Sequence, residues 1–219
     1  MSCRRLEIHN LTLALADGSR TLVDDLSLQL EGGASLAVVG ESGAGKSLTS
    51  LAVMRLLPSG IRKLGGRIVV NDRDLGTLDD AAMRTVRSRE VAMIMQNPMS
   101  AFDPVFTVYS HFKDTVRAAG IAESASIRSR DTAALAEVGL AEAGILDAYP
   151  FQLSGGMLQR VMIALALTTG PDYLIADEPT TDLDLLSQKK VLDLIRERCR
   201  ARHLGLLLIT HDLSVAAYI

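Results

Sequence analysis

The feature that most constrains this chain is a glycine-rich octet between two patterned segments. A short apolar run, Leu36-Ala37-Val38-Val39, enters Gly40-Glu41-Ser42-Gly43-Ala44-Gly45-Lys46-Ser47, and a helix-forming stretch from Leu48 to Leu57 follows until Pro58 ends it. A continuous apolar run of that length predicts a strand buried on both faces. Strand, glycine loop and helix in that order predict a parallel α/β core. The octet matches G-x-x-x-x-G-K-[ST]. Its glycines let the backbone turn its N–H groups inward around a phosphate, and the helix N-terminus adds positive potential. Lys46 supplies a cation for terminal phosphates, Ser47 a hydroxyl for Mg²⁺, and Leu48 continues the cradle into the helix. At average glycine usage (about 7%) a chain of this length shows the pattern by chance about once in a hundred.

A second apolar strand signal, Tyr173-Leu174-Ile175-Ala176, runs into Asp177-Glu178. Neighbouring residues of a strand face opposite ways. Asp177 is therefore expected to anchor Mg²⁺, and Glu178 to polarise an attacking water as general base. A third such run, Leu206 to Ile209, precedes His211, with a helix expected over Leu186 to Arg202 between the two. Upstream, Leu6 to Leu13 and Leu26 to Leu30 alternate apolar and polar, with Asp17-Gly18-Ser19 as the turn between them. They predict an antiparallel β subdomain. Arg67 to Val70 and Val91 to Met95 read as further strands, and from about Pro98 to Ala148 the pattern turns helical, punctuated at Gly120 and Gly139.

Bulk composition excludes several classes. The 219 residues carry 23 basic and 26 acidic side chains, a net charge of −3, which argues against a dedicated nucleic-acid binder. Cys3 and Cys199 are far apart and read as reduced thiols, and the four histidines are dispersed, so no side-chain metal cluster is expected. No signal peptide opens the chain, and no run approaches the roughly 20 apolar residues of a membrane span. Any membrane role would therefore pass through partners.

Leu153-Ser154-Gly155-Gly156-Met157-Leu158-Gln159-Arg160 resembles the LSGGQ-type signature of ABC (ATP-binding cassette) ATPases. Ser154 and the Gly155 and Gly156 amides would form a second anion-binding helix N-terminus. Other family marks follow in order: Gln96 matches the Q-loop glutamine, Pro179-Thr180-Thr181-Asp182-Leu183-Asp184 leads into the D-loop, and His211 matches the switch histidine. The resemblance covers essentially the whole chain. It implies one P-loop NTPase ABC cassette over residues 1–219: an α/β core with its β subdomain at about 1–97 and 160–219, and an inserted helical lobe with the signature at about 98–159. It also implies ATP and Mg²⁺ as ligands, the ion held by Ser47, Gln96 and Asp177, with Glu178, His211 and Gln96 as the catalytic set.

Gln96-Asn97-Pro98-Met99-Ser100-Ala101-Phe102-Asp103-Pro104 resembles the Q-loop region of the peptide, opine and nickel uptake group. Met157-Leu158 and the Ile163-Ala164-Leu165-Ala166-Leu167 helix look most like its nickel-import ATPases. Dipeptide or oligopeptide import stays open beside nickel. The implied assembly is a head-to-tail dimer with a second ATPase subunit, a sister chain, on two membrane permeases fed by an extracytoplasmic solute-binding protein. It would lie at the cytoplasmic face of a bacterial inner membrane. A soluble ABC protein of translation or DNA repair is opposed by the single cassette and the lack of a heptad run. A non-hydrolysing regulatory module is opposed by Glu178 and His211, and an exporter by the absence of a fused membrane domain. Two departures stand out. No aromatic residue precedes Phe102, so adenine is expected to rest on residues around Leu15 to Arg20. The chain also stops at Ile219, where family members continue, so the C-terminal part of the usual cassette is expected to be missing and the Asp212 to Ile219 helix to be cut mid-course.

Overall fold

A computed structural model describes residues 4–121, 127–181 and 183–219; Cys3 and Asp182 lie outside the described residues. Strands β1 (Arg5–Leu15) and β2 (Thr21–Glu31) pair antiparallel, and β4 (Ile61–Val70) and β5 (Arg73–Asp74) complete a sheet of order β2-β1-β4-β5. The expected turn is present: Asp17 Oδ1 accepts from the Ser19 amide at 2.9 Å, and Gly18 has φ 75°. The alternation of β1 changes phase, burying Leu6 and Ile8 but then Leu11 and Leu13. A bulge at Asn10 (φ 51°) causes the slip. Gly66 lies against it so closely that a Cβ there would be 2.5 Å from the Asn10 and His9 carbonyl oxygens.

The second sheet is wholly parallel, with order β3-β8-β7-β6, from β3 (Ser35–Val39), β6 (Val91–Ile94), β7 (Tyr173–Asp177) and β8 (Gly205–Thr210). Every residue of β7 and β8 is buried, as their apolar runs predict. Their alternate residues feed two cores. Tyr173, Ile175, Leu207 and Ile209 pack with Leu6, Ile8, Leu11 and Leu13 of the first sheet. Leu174, Ala176, Leu206 and Leu208 pack with Phe112, Leu158, Ile163 and Ile195 of the helical side. The burial expected for β3 needs correction: none of its residues is fully buried and Val39 is 38% exposed, because among the described residues β3 is an edge strand with β8 as its one neighbour.

Helix α1 spans Lys46–Val53, earlier at both ends than the Leu48 to Leu57 expected. It stops where Arg55 turns left-handed (φ 50°), three residues before Pro58, with the Arg55 guanidinium bonded to the Leu78 carbonyl at 2.7 Å. β4 likewise starts six residues before the Arg67 anticipated, since β1 pairs it as far as Leu15 with Ile61 and overrides the polar, glycine-containing pattern. Short helix α2 (Asp80–Thr85) leads towards β6. The helical segment contains α3 (Pro98–Ala101), α4 (Val108–Ala118) and α5 (Ile127–Glu137), with Gly120 and Gly139 as left-handed turns. α6 (Gly155–Thr168) starts among these helices and runs without a break to the base of the parallel sheet, touching α3, α4, α5, β6 and α7 (Leu185–Arg202). Short α8 (Leu213–Tyr218) follows β8. Among the described residues, no helix is long and apolar enough to cross a membrane.

Candidate active site

The C-terminal ends of all four parallel strands open onto one edge, the place where open parallel sheets bind ligands. β3 delivers the Gly40–Ser47 loop there, β6 delivers Gln96, β7 ends in Asp177 and Glu178, and β8 leads to His211. A cavity of about 650 Å³ lies between them, lined by Glu41, Ser42, Gly43, Gly45, Lys46, Ser47 and Leu48 of the loop and by Gln96, Glu178, Thr181 and His211. Gly40 and Ala44 belong to the loop but not to that lining.

The loop is held by its own lysine. Lys46 Nζ donates to the Gly40 and Glu41 carbonyls at 2.7 and 2.8 Å, and the residue is only 8% exposed. Gly45 (φ 83°) lets the loop cross β2: a Cβ there would meet the Leu22 carbonyl oxygen at 2.6 Å and Val23 Cγ2 at 2.7 Å.

The two acids diverge. Asp177 is buried and turns towards α1, where Oδ1 accepts from Ser47 Oγ at 3.0 Å and Oδ2 from Ser50 Oγ at 3.3 Å. Burial pushes its carboxyl above the ordinary carboxylate range, against the opposing pull of the two hydroxyls. Asp177 is not itself part of the cavity lining, but its carboxylate and the hydroxyl of Ser47, which is, form a hard-oxygen donor set that fits Mg²⁺. Glu178 turns the other way, into the cavity. Its φ of 45° costs a non-glycine residue about 1–2 kcal/mol. The Glu178 amide remains tied to the Ile209 carbonyl at 2.8 Å. One carboxylate oxygen, Oε2, accepts from Gln96 Nε2 at 3.2 Å and Thr181 Oγ1 at 3.0 Å, and His211 Nδ1 lies 3.2 Å away.

Ser154, Gly155 and Gly156 lie elsewhere. Ser154 caps α6, accepting from the Met157 amide at 3.3 Å, and the cap faces solvent, away from the cavity of its own chain. Nor does any residue from Leu15 to Arg20 line the cavity. The motif reading passed over Ser50, one helical turn after Ser47 on the same face of α1, and gave no role to Gln159 of the signature segment, whose buried side chain reaches the Pro179 carbonyl. The spacing of Ser47 and Ser50 is the available signal for the first; for the second the signature segment names the residue but nothing in the sequence names its partner Pro179.

The ABC transporter family profile matches residues 23–181. The chain is 45% identical to the nickel import ATP-binding protein NikD of Pseudomonas putida over 99% of its own length and 82% of that protein's. It is 44% identical to NikD of Rhodospirillum rubrum over 97% and 79%. Among solved structures, it superposes with a TM-score of 0.85 and 25% identity on a dimeric ATP-binding cassette in a post-hydrolysis state with ADP and phosphate, covering 97% of this chain and 90% of that one. An ATP-binding subunit of an ABC transporter matches with a TM-score of 0.77 and 28% identity, over 96% and 81%. The loop and acids at one edge of a parallel sheet, the helix-opening signature and these matches together place the chain in the ABC transporter family of ATP-binding cassettes.

Proposed function

We propose that this chain is the ATP-hydrolysing subunit of an ABC importer for nickel, working at the cytoplasmic face of a bacterial inner membrane. The observation that carries the hydrolytic reading is the convergence of Gln96, Thr181 and His211 on one oxygen of Glu178, beside the glycine loop. The cargo rests on the relatives named for nickel import. Dipeptide or oligopeptide import is the competing cargo within the same uptake group.

In this reading the loop amides and Lys46 hold the phosphates of ATP, with Lys46 exchanging its carbonyl partners for phosphate oxygens. Ser47, Gln96 and Asp177 would hold Mg²⁺; the ion, when bound, neutralises charge on the terminal phosphates. Glu178 takes the proton of the attacking water, while His211, Gln96 and Thr181 fix its carboxylate. The signature Ser154, Gly155 and Gly156, of which Ser154 and Gly155 are exposed and Gly156 half-buried, completes the site of a second ATPase subunit in a head-to-tail dimer, with a helix N-terminus aimed at the γ-phosphate. The chain divides functionally into a core at about 1–97 and 160–219 and a helical lobe at about 98–159. A groove of about 410 Å³ beside Gln96, lined by Met54, Met93, Met95, Phe102, His111 and others, suits a permease segment, and methionine linings adapt to irregular apolar partners. The extracytoplasmic binding protein acts through the permeases.

Glu178→Gln tests the chemistry. It is expected to lower ATP turnover by about 10²–10⁴-fold at its own site while ATP binding persists. Unchanged turnover would sink the reading. Stimulation of the whole complex by nickel-loaded rather than peptide-loaded binding protein decides the cargo, and stimulation by peptide alone moves it to the competing one.

A further inference from the structure

Gln159 is a buried carboxamide on α6, 3% exposed. Leu158, Met162 and Ile163 beside it are buried as well. A polar side chain in such surroundings is costly unless it is paired. Its partner is specific: Nε2 donates to the carbonyl oxygen of Pro179 at 2.8 Å. Pro179 directly follows Glu178, whose backbone is left-handed and whose amide is pinned to Ile209. The bond thus holds the Pro179–Thr180 peptide, one residue beyond Glu178, so that the backbone carrying this carboxylate is tethered on both sides, at its own amide by Ile209 and just after it by Gln159.

The other end of the same helix is the signature. Ser154 caps α6, and its carbonyl accepts from the Leu158 amide at 2.9 Å, so Ser154 and Gln159 belong to one hydrogen-bonded turn and its successor. A helix of 14 residues moves as a unit, so a shift at its N-terminus reaches Gln159 without a hinge. The loop after Glu178 has a second tether: Gln188 Nε2 of α7 donates to the Thr180 and Leu183 carbonyls at 3.3 and 3.1 Å. That helix carries no signature residue.

We propose that Gln159 is a positioning residue that ties the signature helix to Glu178, so that an anion docking on the α6 N-terminus is registered at the general base of the same chain. The inference rests on the hydrolytic reading above and names the link through which one site of the dimer senses the other.

The test uses the native transporter complex isolated from membranes, comparing Gln159→Met, Gln188→Met, Glu178→Gln, Ser154→Ala and the double variants of Ser154→Ala with Gln159→Met and with Gln188→Met. Gln159→Met keeps the length and volume of the side chain and loses the donor. Its kcat is expected to fall about fivefold, the effect of one neutral hydrogen bond used in the transition state, with KM for ATP within about twofold of the unaltered complex. Loss of Ser154 should cost less turnover in the Gln159→Met background than alone, whereas the corresponding cycle with Gln188→Met should be additive. An unchanged kcat, a kcat loss matched by a rise in KM, additive losses in the Gln159–Ser154 cycle, or no loss on Ser154→Ala overturns the proposal. Should Gln159→Met fail to assemble, Gln159→Leu, which also lacks the donor, carries the same measurements. If Glu178→Gln turns over normally, the hydrolytic reading itself fails, a result separable from failure at Gln159.

Discussion

Gly43 and Gly45 of the phosphate loop have nearly the same backbone angle, φ 81° and 83°, but very different surroundings. A Cβ at Gly43 meets nothing within 4 Å, whereas one at Gly45 would press on the Leu22 carbonyl oxygen at 2.6 Å and Val23 Cγ2 at 2.7 Å. Alanine at either position pays the left-handed penalty of about 1–2 kcal/mol. Gly45→Ala must in addition push β2 or the loop aside, and overpacking of that kind adds about 1–3 kcal/mol. The gap between the two variants is therefore about 2 kcal/mol, or about 4–8 °C in Tm for a domain of this size. Urea unfolding of both variants measures it, with unchanged m-values confirming that the native state is what differs. Gly45→Ala should also lose ATP affinity, since the displaced segment is the phosphate loop itself, while Gly43→Ala should retain more of it. Equal stability of the two variants would refute the assignment of Gly45 to close packing and leave backbone angle as the sole reason for glycine there.

Two further outcomes follow from buried and paired groups. Cys199 is buried, and burial pushes its thiol up to about 12, so in a Cys3→Ser background a soluble thiol reagent should label it only as fast as the protein unfolds; rapid labelling under native conditions would contradict its placement. Asp193 accepts from Lys189 at 2.6 Å and from the Tyr218 hydroxyl at 2.5 Å, and Lys189 first, then Tyr218, holds its carboxyl below the usual 3.8. A depressed folded value contributes stability that is fully present above the unfolded value and is lost as pH falls through the folded one. The melting temperature of the wild type should accordingly fall towards that of Asp193→Asn below about pH 4; parallel curves for the two proteins would show that the α7–α8 clamp adds nothing.

Much of this protein was written locally. The glycine octet, the acid pair after an apolar strand and the Ser-capped start of α6 are short-range patterns, because loop conformation, strand alternation and helix capping depend on residues a few positions apart. The same is true of β7, β8 and α7, whose unbroken runs and caps left little choice of structure. Tertiary structure decided what those patterns could not. Leu36 to Val39 reads as a strand buried on both faces yet lies at the edge of the sheet among the described residues, because strand order is set by crossovers between distant segments. The strand expected from Arg67 begins instead at Ile61, because that segment pairs along β1, and Arg55 rather than Pro58 ends α1. The phase change in β1 needed Gly66, more than fifty residues away, to make room for the Asn10 bulge. Above all, that Ser50 shares the Asp177 carboxylate, that three side chains from three segments meet one oxygen of Glu178, and that Gln159 reaches Pro179 are facts of packing. Hydrogen bonds across a core have no sequence periodicity, so they become visible only once the elements are laid against one another.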